Sequence, residues 1–351
     1  MKYAVIDCGT TNTRVYIVDR EGKIIASGER RVGVRNTSMT GSKDTLRNGL
    51  CEAIEEAAAN AKIALKDISF AIASGMITSE IGLIELPHLI APVGLEDLAA
   101  HAELVSGRQL LPLDIPILFI RGIRNNYGEN ATLREIRNVD FMRGEETQMV
   151  GIMDEFDIHT PTNVIVLSSH TKLIHINAEQ KVTASLTSIS GQLYEAVCSA
   201  TMVGKSLTEE QNEQSGGYTF EEIVAIAKDV VENVGLDRCF LIPRFMQVLL
   251  KTDYKERRAF IDAAIAIDDL KMLQEFERQN NRAARYILFG QKSRCDLYES
   301  LISQMYAGRV QITKLSDKEI LSELTVKGAI KIANEYTKNQ SMRKEGLLCS
   351  E

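Results

Sequence analysis

The chain has 351 residues, 44% of them hydrophobic and 25% charged, with a formal net charge of −7. That length exceeds the usual single-core domain, so two domains are expected; the acidic balance argues against a nucleic-acid or anionic-membrane partner. No apolar run approaches the roughly 20 residues that span a bilayer, and no basic-plus-apolar leader precedes the first strand, so a cytoplasmic location is expected.

Two apolar runs from Tyr3 to Val18 flank the turn Gly9-Thr10-Thr11-Asn12, which reads as a β-hairpin with a polar tip. Asp7 ends the first run, where a buried strand rarely carries a carboxylate without a role. Gly9 lets backbone amides face a ligand, Thr10, Thr11 and Asn12 add donors, and Arg14 adds a fixed cationic fork. Donors beside one carboxylate suit a Mg-bound polyphosphate. An ordinary polar turn is the plain alternative, and the density of Asp-x-Gly-Thr-Thr-Asn-x-Arg argues against it. Cys8, within the motif, reads as packing. Six scattered cysteines without a Cys-x-x-Cys pair indicate a reduced chain with neither a disulfide framework nor a zinc site.

A third strand follows over Ile24 to Arg30, then an alanine-rich amphipathic helix over 43–65 and a strand over Ile68 to Ser74. Pro87 and Pro92 break the next stretch into a loop. Ile115 to Arg121 reads as a strand, Asn125-Asn-Tyr-Gly128 as a turn, and Asp140 to Val150 as a turn feeding a helix. The pattern then repeats: strand, polar turn and strand over Asn163 to Ile176, a second tight turn, and a strand over Val182 to Thr187. From Leu193 the pattern is mainly helical, apart from short strands at Ala284 to Phe289 and Val310 to Thr313. Residues 206–218 read as a mobile loop, and Ile320 to Asn334 as a helix that packs back on the first lobe.

Strands mixed with helices make the class α/β. Two halves with phosphate-ready hairpin tips describe a cleft that clamps a nucleotide, so the expected fold is two-lobed, resembling the actin, hexokinase and Hsp70 superfamily with duplicated, ribonuclease H-like βββαβαβα domains. The expected division is 1–150, binding phosphate and sugar, and 151–351, binding nucleotide.

The motifs also resemble those of the 2-keto-3-deoxygalactonokinases, sugar-acid kinases of galactonate breakdown. Asp7-x-Gly-Thr-Thr-Asn-x-Arg14 is similar to their first phosphate motif; Gly75-Met-Ile-Thr-Ser79 with Gly82 and Glu85-Leu-Pro87 is similar to their Gly-Met-Ile-Gly-Ser segment. Met142-Arg-Gly-Glu-Glu-Thr-Gln148 resembles their most specific heptad. His170-Thr-Lys172 resembles a second phosphate motif, and Ile287 to Gly290 the strand before the adenosine site. The chain departs from the pattern at Ser168, where the family has glycine, at Gln192 in place of glutamate, at Leu83 in place of tryptophan and at His88 in place of tyrosine. A glycine-rich helix becomes Phe260 to Ala266.

The resemblance implies an ATP- and Mg-dependent transfer to the terminal hydroxyl of a 2-keto-3-deoxy sugar acid, with a small-molecule substrate and no nucleic-acid or membrane partner. Asp7 is then the metal-side carboxylate; a strand-end Asp capping its turn is the plain alternative. Glu145, with Glu146 as alternate, is the general base, though the helix dipole alone favours Glu in a first turn. Adjacent residues on a helix point apart, so at most one of the two acts. Gly9, Thr10, Thr11, Asn12, Arg14, Ser168, Ser169, His170, Lys172 and Gly290 fall to the nucleotide; Met76, Ser79, Glu85, Arg143, Gly191 and Gln192 fall to the substrate. Ser168 is expected to hinder any φ > 0 the second turn needs. A non-catalytic nucleotide or sugar-acid sensor, and a kinase for another small metabolite, are the competing readings. Oligomeric state stays open, a homodimer included.

Overall fold

The computed structural model describes residues 1–129, 131–210 and 215–348. Residues 211–214 of the expected loop, and Cys349, lie outside the described residues. The residues form two compact units. The first comprises Met1–His159, Ile176–Ser185 and the chain from Lys318; the second comprises Thr160–His175 and Leu186–Asp317. The grouping therefore differs from a single cut near 150, because the last helix and a short middle stretch belong with the first unit.

In the first unit, β1 (Lys2–Cys8), β2 (Thr13–Val18) and β3 (Ile24–Arg30) form an antiparallel meander. A short helix, α1 (Val34–Thr40), follows it, then α2 (Asp44–Asn60). The sequence reading passed over α1 and ran α2 too long. Lys62 takes a left-handed backbone (φ 57°), and Asp67 accepts from the Ala64 amide at 3.0 Å to close a separate turn, which ends α2 early. Next comes β4 (Ile68–Gly75), parallel to β1.

The stretch after Pro87, expected as loop, holds β5 (Leu89–Ile90), α3 (Leu95–Ala100) and β6 (Glu103–Val105). Asp97 caps α3 by accepting from the Gly94 amide at 2.9 Å, while Leu98 and Ala99 are buried. β7 (Ile117–Phe119) is shorter than expected, because Pro116 has no amide to give to the ladder. β8 (Ile123–Arg124), β9 (Phe141–Met142) and α4 (Glu145–Phe156) follow. The main sheet has the order β3-β2-β1-β4-β7-β6, and β5-β8-β9 form a small second sheet. Its core sets Ala4, Ile6, Val15 and Ile17 with Leu46, Leu50, Ala53 and Ile54 of α2. Strands buried on both faces read as continuous apolar runs, as β1 and β4 do.

The other large sheet contains β10 (Thr162–Leu167), β11 (Thr171–Ile176), β12 (Val182–Ser188), β13 (Arg285–Gly290) and β14 (Gln311–Leu315), in the order β12-β11-β10-β13-β14. The pairs β10–β13 and β13–β14 are parallel, as are β1–β4 and β4–β7, so the sheets repeat one topology. Helices α5 (Ser190–Ala200), α6 (Phe220–Asn233), α7 (Leu236–Cys239), α8 (Ile242–Val248), α9 (Tyr254–Arg278) and α10 (Lys292–Met305) complete the second unit.

The last helix, α11 (Lys318–Leu348), belongs to the first unit and lies along α4. The approach is backbone to backbone: a Cβ on Gly328 would stand 1.8 Å from the Thr147 carbonyl oxygen, and one on Gly151 would stand 2.1 Å from that of Leu324. Lys327 adds ion pairs to Asp154 at 2.8 Å and Glu155 at 2.7 Å, whose exposure makes them minor beside the packing. Gly328→Ala must therefore push α11 off α4. We expect a loss of about 2 kcal/mol or more in denaturant unfolding, the usual cost of overpacking a tight contact; a wild-type midpoint would show that the helices part freely.

Candidate active site

Asp7 is the second-last residue of β1, opposite Arg14 on β2 and Ser74 on β4, at the carboxyl end of the parallel pair where such sheets present ligand-binding loops. In the turn that follows, the Gly9 amide donates to the Asn12 carbonyl at 2.9 Å. The start of α1 donates to two more carbonyls: Val34 to Gly9 at 3.3 Å and Arg35 to Thr10 at 2.9 Å. The amides of Thr10 and Thr11 have no backbone acceptor among the described residues, and both side chains are exposed. The turn thus engages the carbonyls of Gly9, Thr10 and Asn12 while the Thr10 and Thr11 amides stay clear of backbone acceptors, the polarity an anion requires. Arg14 turns to Glu29 across the sheet, at 3.2 Å, with both side chains about half exposed. Cys8 is buried, and its thiol is pushed up to about 12, chiefly by burial, so it packs rather than reacts.

Two glycines bring α4 to this point. Gly75 ends β4 with φ 90°, where a Cβ would stand 2.8 Å from the Cys8 carbonyl oxygen. Gly144 precedes α4 with φ 110°, and its Cβ position lies 3.4 Å from the Gly75 Cα. The ends of β1 and β4 and the start of α4 therefore converge. Asp7 registers this electrostatically: burial raises its pKa, the Arg14 charge lowers it, and the Glu145 charge raises it again.

The two glutamates differ. Glu146 is fully buried; its Oε2 accepts from the Gly144 amide at 2.7 Å, and its buried Oε1 has no hydrogen-bond partner among the described residues. Burial first, then the neighbouring Glu145 charge, push its pKa up to about 8. Glu145 is only partly buried. A base must reach a proton before its pKa matters, so the accessible Glu145 is the better suited of the two.

Arg143 gives Nη1 to the Thr78 hydroxyl and Nη2 to the Leu86 carbonyl, both at 2.7 Å, with His88 Nδ1 at 3.5 Å. It clamps both ends of the 75–88 segment. Burial lowers its pKa, against the charges of Glu146, Glu80 and Glu85. Within that segment Ser79 is buried and donates to the Met76 carbonyl at 2.7 Å, Met76 is partly buried, and Glu85 is exposed. Leu83 and Leu86 pack in the core.

In the second unit the turn 168–170 joins β10 and β11. Ser168 is exposed and is not among the residues with positive φ, so the serine meets no left-handed strain there. Its hydroxyl donates to the His170 carbonyl at 3.1 Å, and Ser169 Oγ lies 3.3 Å from His170 Nδ1. Gly191 and Gln192, grouped with substrate in the sequence reading, stand against this turn instead: the Gln192 amide donates to the Ser169 carbonyl at 2.8 Å, and a Gly191 Cβ would stand 2.3 Å from the Ser168 oxygen. Lys172 is buried within β11 and donates to Thr187 Oγ1 at 2.9 Å. Gly290 lets β13 pass the Leu167 carbonyl, which its Cβ would meet at 2.6 Å.

A pocket of about 480 Å³ opens beside the turn, lined by Ser168, Ser169, Gly191, Tyr194, Arg258, Asp262 and Arg294 among others. Asp262 is pushed up to about 6 by burial, against the lowering charges of Arg258 and Arg294. The sequence reading missed Arg258, Asp262 and Arg294. One local signal existed for Asp262, an acid inside the apolar run Phe260 to Ala266.

Mg²⁺ takes oxygen ligands and keeps several waters, so Asp7 beside a donor-rich turn fits it with one carboxylate. Among the described residues no group of three or more His, Cys, Asp and Glu side chains is arranged to hold a metal.

The buried Glu146 also sets a pH dependence. Its carboxyl titrates near 4.5 in an unfolded chain and near 8 here, so between those values the folded form holds the extra proton and stability falls as pH rises. Glu146→Gln, an uncharged isostere, should flatten that fall: its melting temperature should gain on wild type progressively between about pH 5 and 8. Parallel curves for the two proteins would contradict the buried, protonated state.

The sequence profile of the 2-keto-3-deoxy-galactonokinases matches residues 7–323. A Rhizobium meliloti protein named as a candidate 2-dehydro-3-deoxygalactonokinase is 24% identical over 227 residues, covering 65% of this chain and 66% of that relative, just under two thirds of its length. A crystal structure from Sinorhizobium meliloti, given as a candidate 2-dehydro-3-deoxygalactonokinase, superposes with a TM-score of 0.68 at 18% identity, covering 94% of this chain and 98% of that one. The activator of the 2-hydroxyisocaproyl-CoA dehydratase from Clostridium difficile, with bound ADPNP, superposes with a TM-score of 0.50 at 12% identity over 97% and 98% of the two chains. At such identities the two structures speak for the fold alone, which is α/β and actin/hexokinase-like. No helix among the described residues is long and apolar enough to cross a membrane. With the profile matched across nearly all of its length, the chain belongs to the 2-keto-3-deoxy-galactonokinase family, a family of sugar-acid kinases.

Proposed function

We propose that this protein is an ATP- and Mg-dependent kinase that phosphorylates the terminal hydroxyl of a 2-keto-3-deoxy sugar acid, with 2-keto-3-deoxygalactonate as the first candidate and its 6-phosphate as product. The observation that carries the reading is the convergence of Asp7 and Glu145 beside a turn that presents its amides. Glu145 takes the proton of the substrate hydroxyl as that oxygen bonds to the γ-phosphorus. The bond from phosphorus to the bridging oxygen breaks, and its electron pair leaves with ADP. In the first unit Thr10 and Thr11 offer phosphate oxygens backbone and hydroxyl donors; in the second, Ser168, Ser169 and His170, with Gly191 and Gln192, make a turn of the same kind suited to phosphate.

Asp7 would hold Mg²⁺, which would supply charge neutralisation on the phosphates. Glu146 stays protonated and fixes the Gly144 amide, so it props the base and does not replace it. Arg143 meets the acid's carboxylate with hydrogens left over from Thr78 and Leu86, and Met76, Ser79 and Glu85 shape that side. Lys172 and Gly290 support strands, consistent with their buried surroundings.

An ADP-release assay over a panel of 2-keto-3-deoxy and related aldonic acids tests the reading. One acid of that class should support turnover with ATP·Mg. Glu145→Gln should lower kcat by about 10²–10⁴-fold with ATP affinity nearly unchanged, while Glu146→Gln keeps most of the rate. If nucleotide binds yet no acid releases ADP, the sensor reading replaces this one; if only Glu146→Gln is inactive, the base is one residue on.

A further inference from the structure

We infer that Arg294 is a positioning residue for the turn 168–170, fixing its carbonyls so that its amides face a phosphate. The inference rests on the proposed role of that turn as a phosphate contact. A turn offers oxygens as readily as amides, and an anion tolerates only the amides. Both carbonyls at the tip are tied down here: Arg294 Nη1 donates to the Ser168 oxygen at 3.0 Å, and the Gln192 amide donates to the Ser169 oxygen at 2.8 Å. A trans peptide is planar and sets its C=O and N–H on opposite sides. Pinning the Ser168 oxygen therefore aims the Ser169 amide the other way, and pinning the Ser169 oxygen does the same for His170.

Arg294 is itself the head of a directed chain. Its Nη2 donates to Thr171 Oγ1 at 3.3 Å; Thr171 Oγ1 lies 2.7 Å from Ser190 Oγ; and Ser190 Oγ donates to Asp269 Oδ2 at 2.9 Å. The buried Asp269 also accepts from Ser188 at 2.9 Å and from the Tyr298 hydroxyl. The chain gives a buried carboxylate on α9 its donors and joins it to a guanidinium on α10, with the turn between them. A lysine keeps the charge but lacks the planar fork that holds Ser168 and Thr171 together. The position also bears on Ser168: with the peptide held from outside, the turn does not depend on a glycine at its first residue.

The test measures ATP·Mg binding by calorimetry without acceptor, and KM and kcat with the acid found active. Arg294→Lys and Arg294→Met should each weaken ATP by about tenfold and change kcat by less than about threefold, with melting temperatures near wild type. Thr171→Val, which cuts the chain one link further on, should weaken ATP by a smaller factor and serves if the Arg294 variants do not fold. Wild-type ATP binding in Arg294→Lys would mean that charge alone acts, and the inference fails. A fall in melting temperature with unchanged ATP affinity would mean a purely structural role, and it fails again. If wild type binds no nucleotide at millimolar concentration, the phosphate role of the turn is lost, and the functional reading goes with it.

Discussion

The first unit's chemistry depends on one close approach. Gly75 and Gly144 both adopt left-handed backbone, and the second packs on the Cα of the first. Any side chain at Gly75 would strike the Cys8 carbonyl at the end of β1. Because both positions lack a Cβ, the strand that carries Asp7 and the helix that carries Glu145 end at the same place. A second pair of glycines, Gly151 and Gly328, lets that helix pack backbone to backbone against α11. Glycine in a helix costs roughly 1 kcal/mol relative to alanine, so its use at these two contacts is explained by backbone proximity, which no other residue permits.

Three carboxyl groups share this end of the sheet, and their surroundings separate them. Asp7 stands next to a guanidinium strand partner and an anion-ready turn, which suits a charged, metal-side role. Glu146 is shut off from solvent, with one oxygen that meets no donor among the described residues, so burial favours its neutral form. Glu145, partly exposed at the head of α4, is the one proposed as the base. Two adjacent glutamates on a helix thus sit in different surroundings through burial alone, the kind of contrast that lets one site separate acid from base chemistry.

Much of this was legible in the sequence where the signal was local. The hairpin, β3, β4 and the start of α4 stand nearly where apolar runs and turn residues put them, because strand pairing and caps act over a few residues. Short α1 and α3 were missed, since a single buried face of two residues leaves little periodicity. The protein partners of Arg143 and Lys172 were not legible either: each is engaged by hydroxyl or carbonyl groups from elsewhere in the chain, which no local pattern announces. Arg294 was out of reach altogether. Its bond to Ser168 spans 126 residues, and nothing near it in the chain sets it apart from a solvated helix surface.

On the proposed reading, Glu145 enables phosphoryl transfer to the terminal hydroxyl of a sugar acid. Phosphorus NMR of wild type and Glu145→Gln with ATP·Mg and 2-keto-3-deoxygalactonate tests it most directly. The account predicts a growing phosphomonoester signal, coupled to the terminal methylene protons, with ADP formed in equal amount by wild type and almost none by the variant. ATP consumed to inorganic phosphate alone, or equal ester from both proteins, would contradict it.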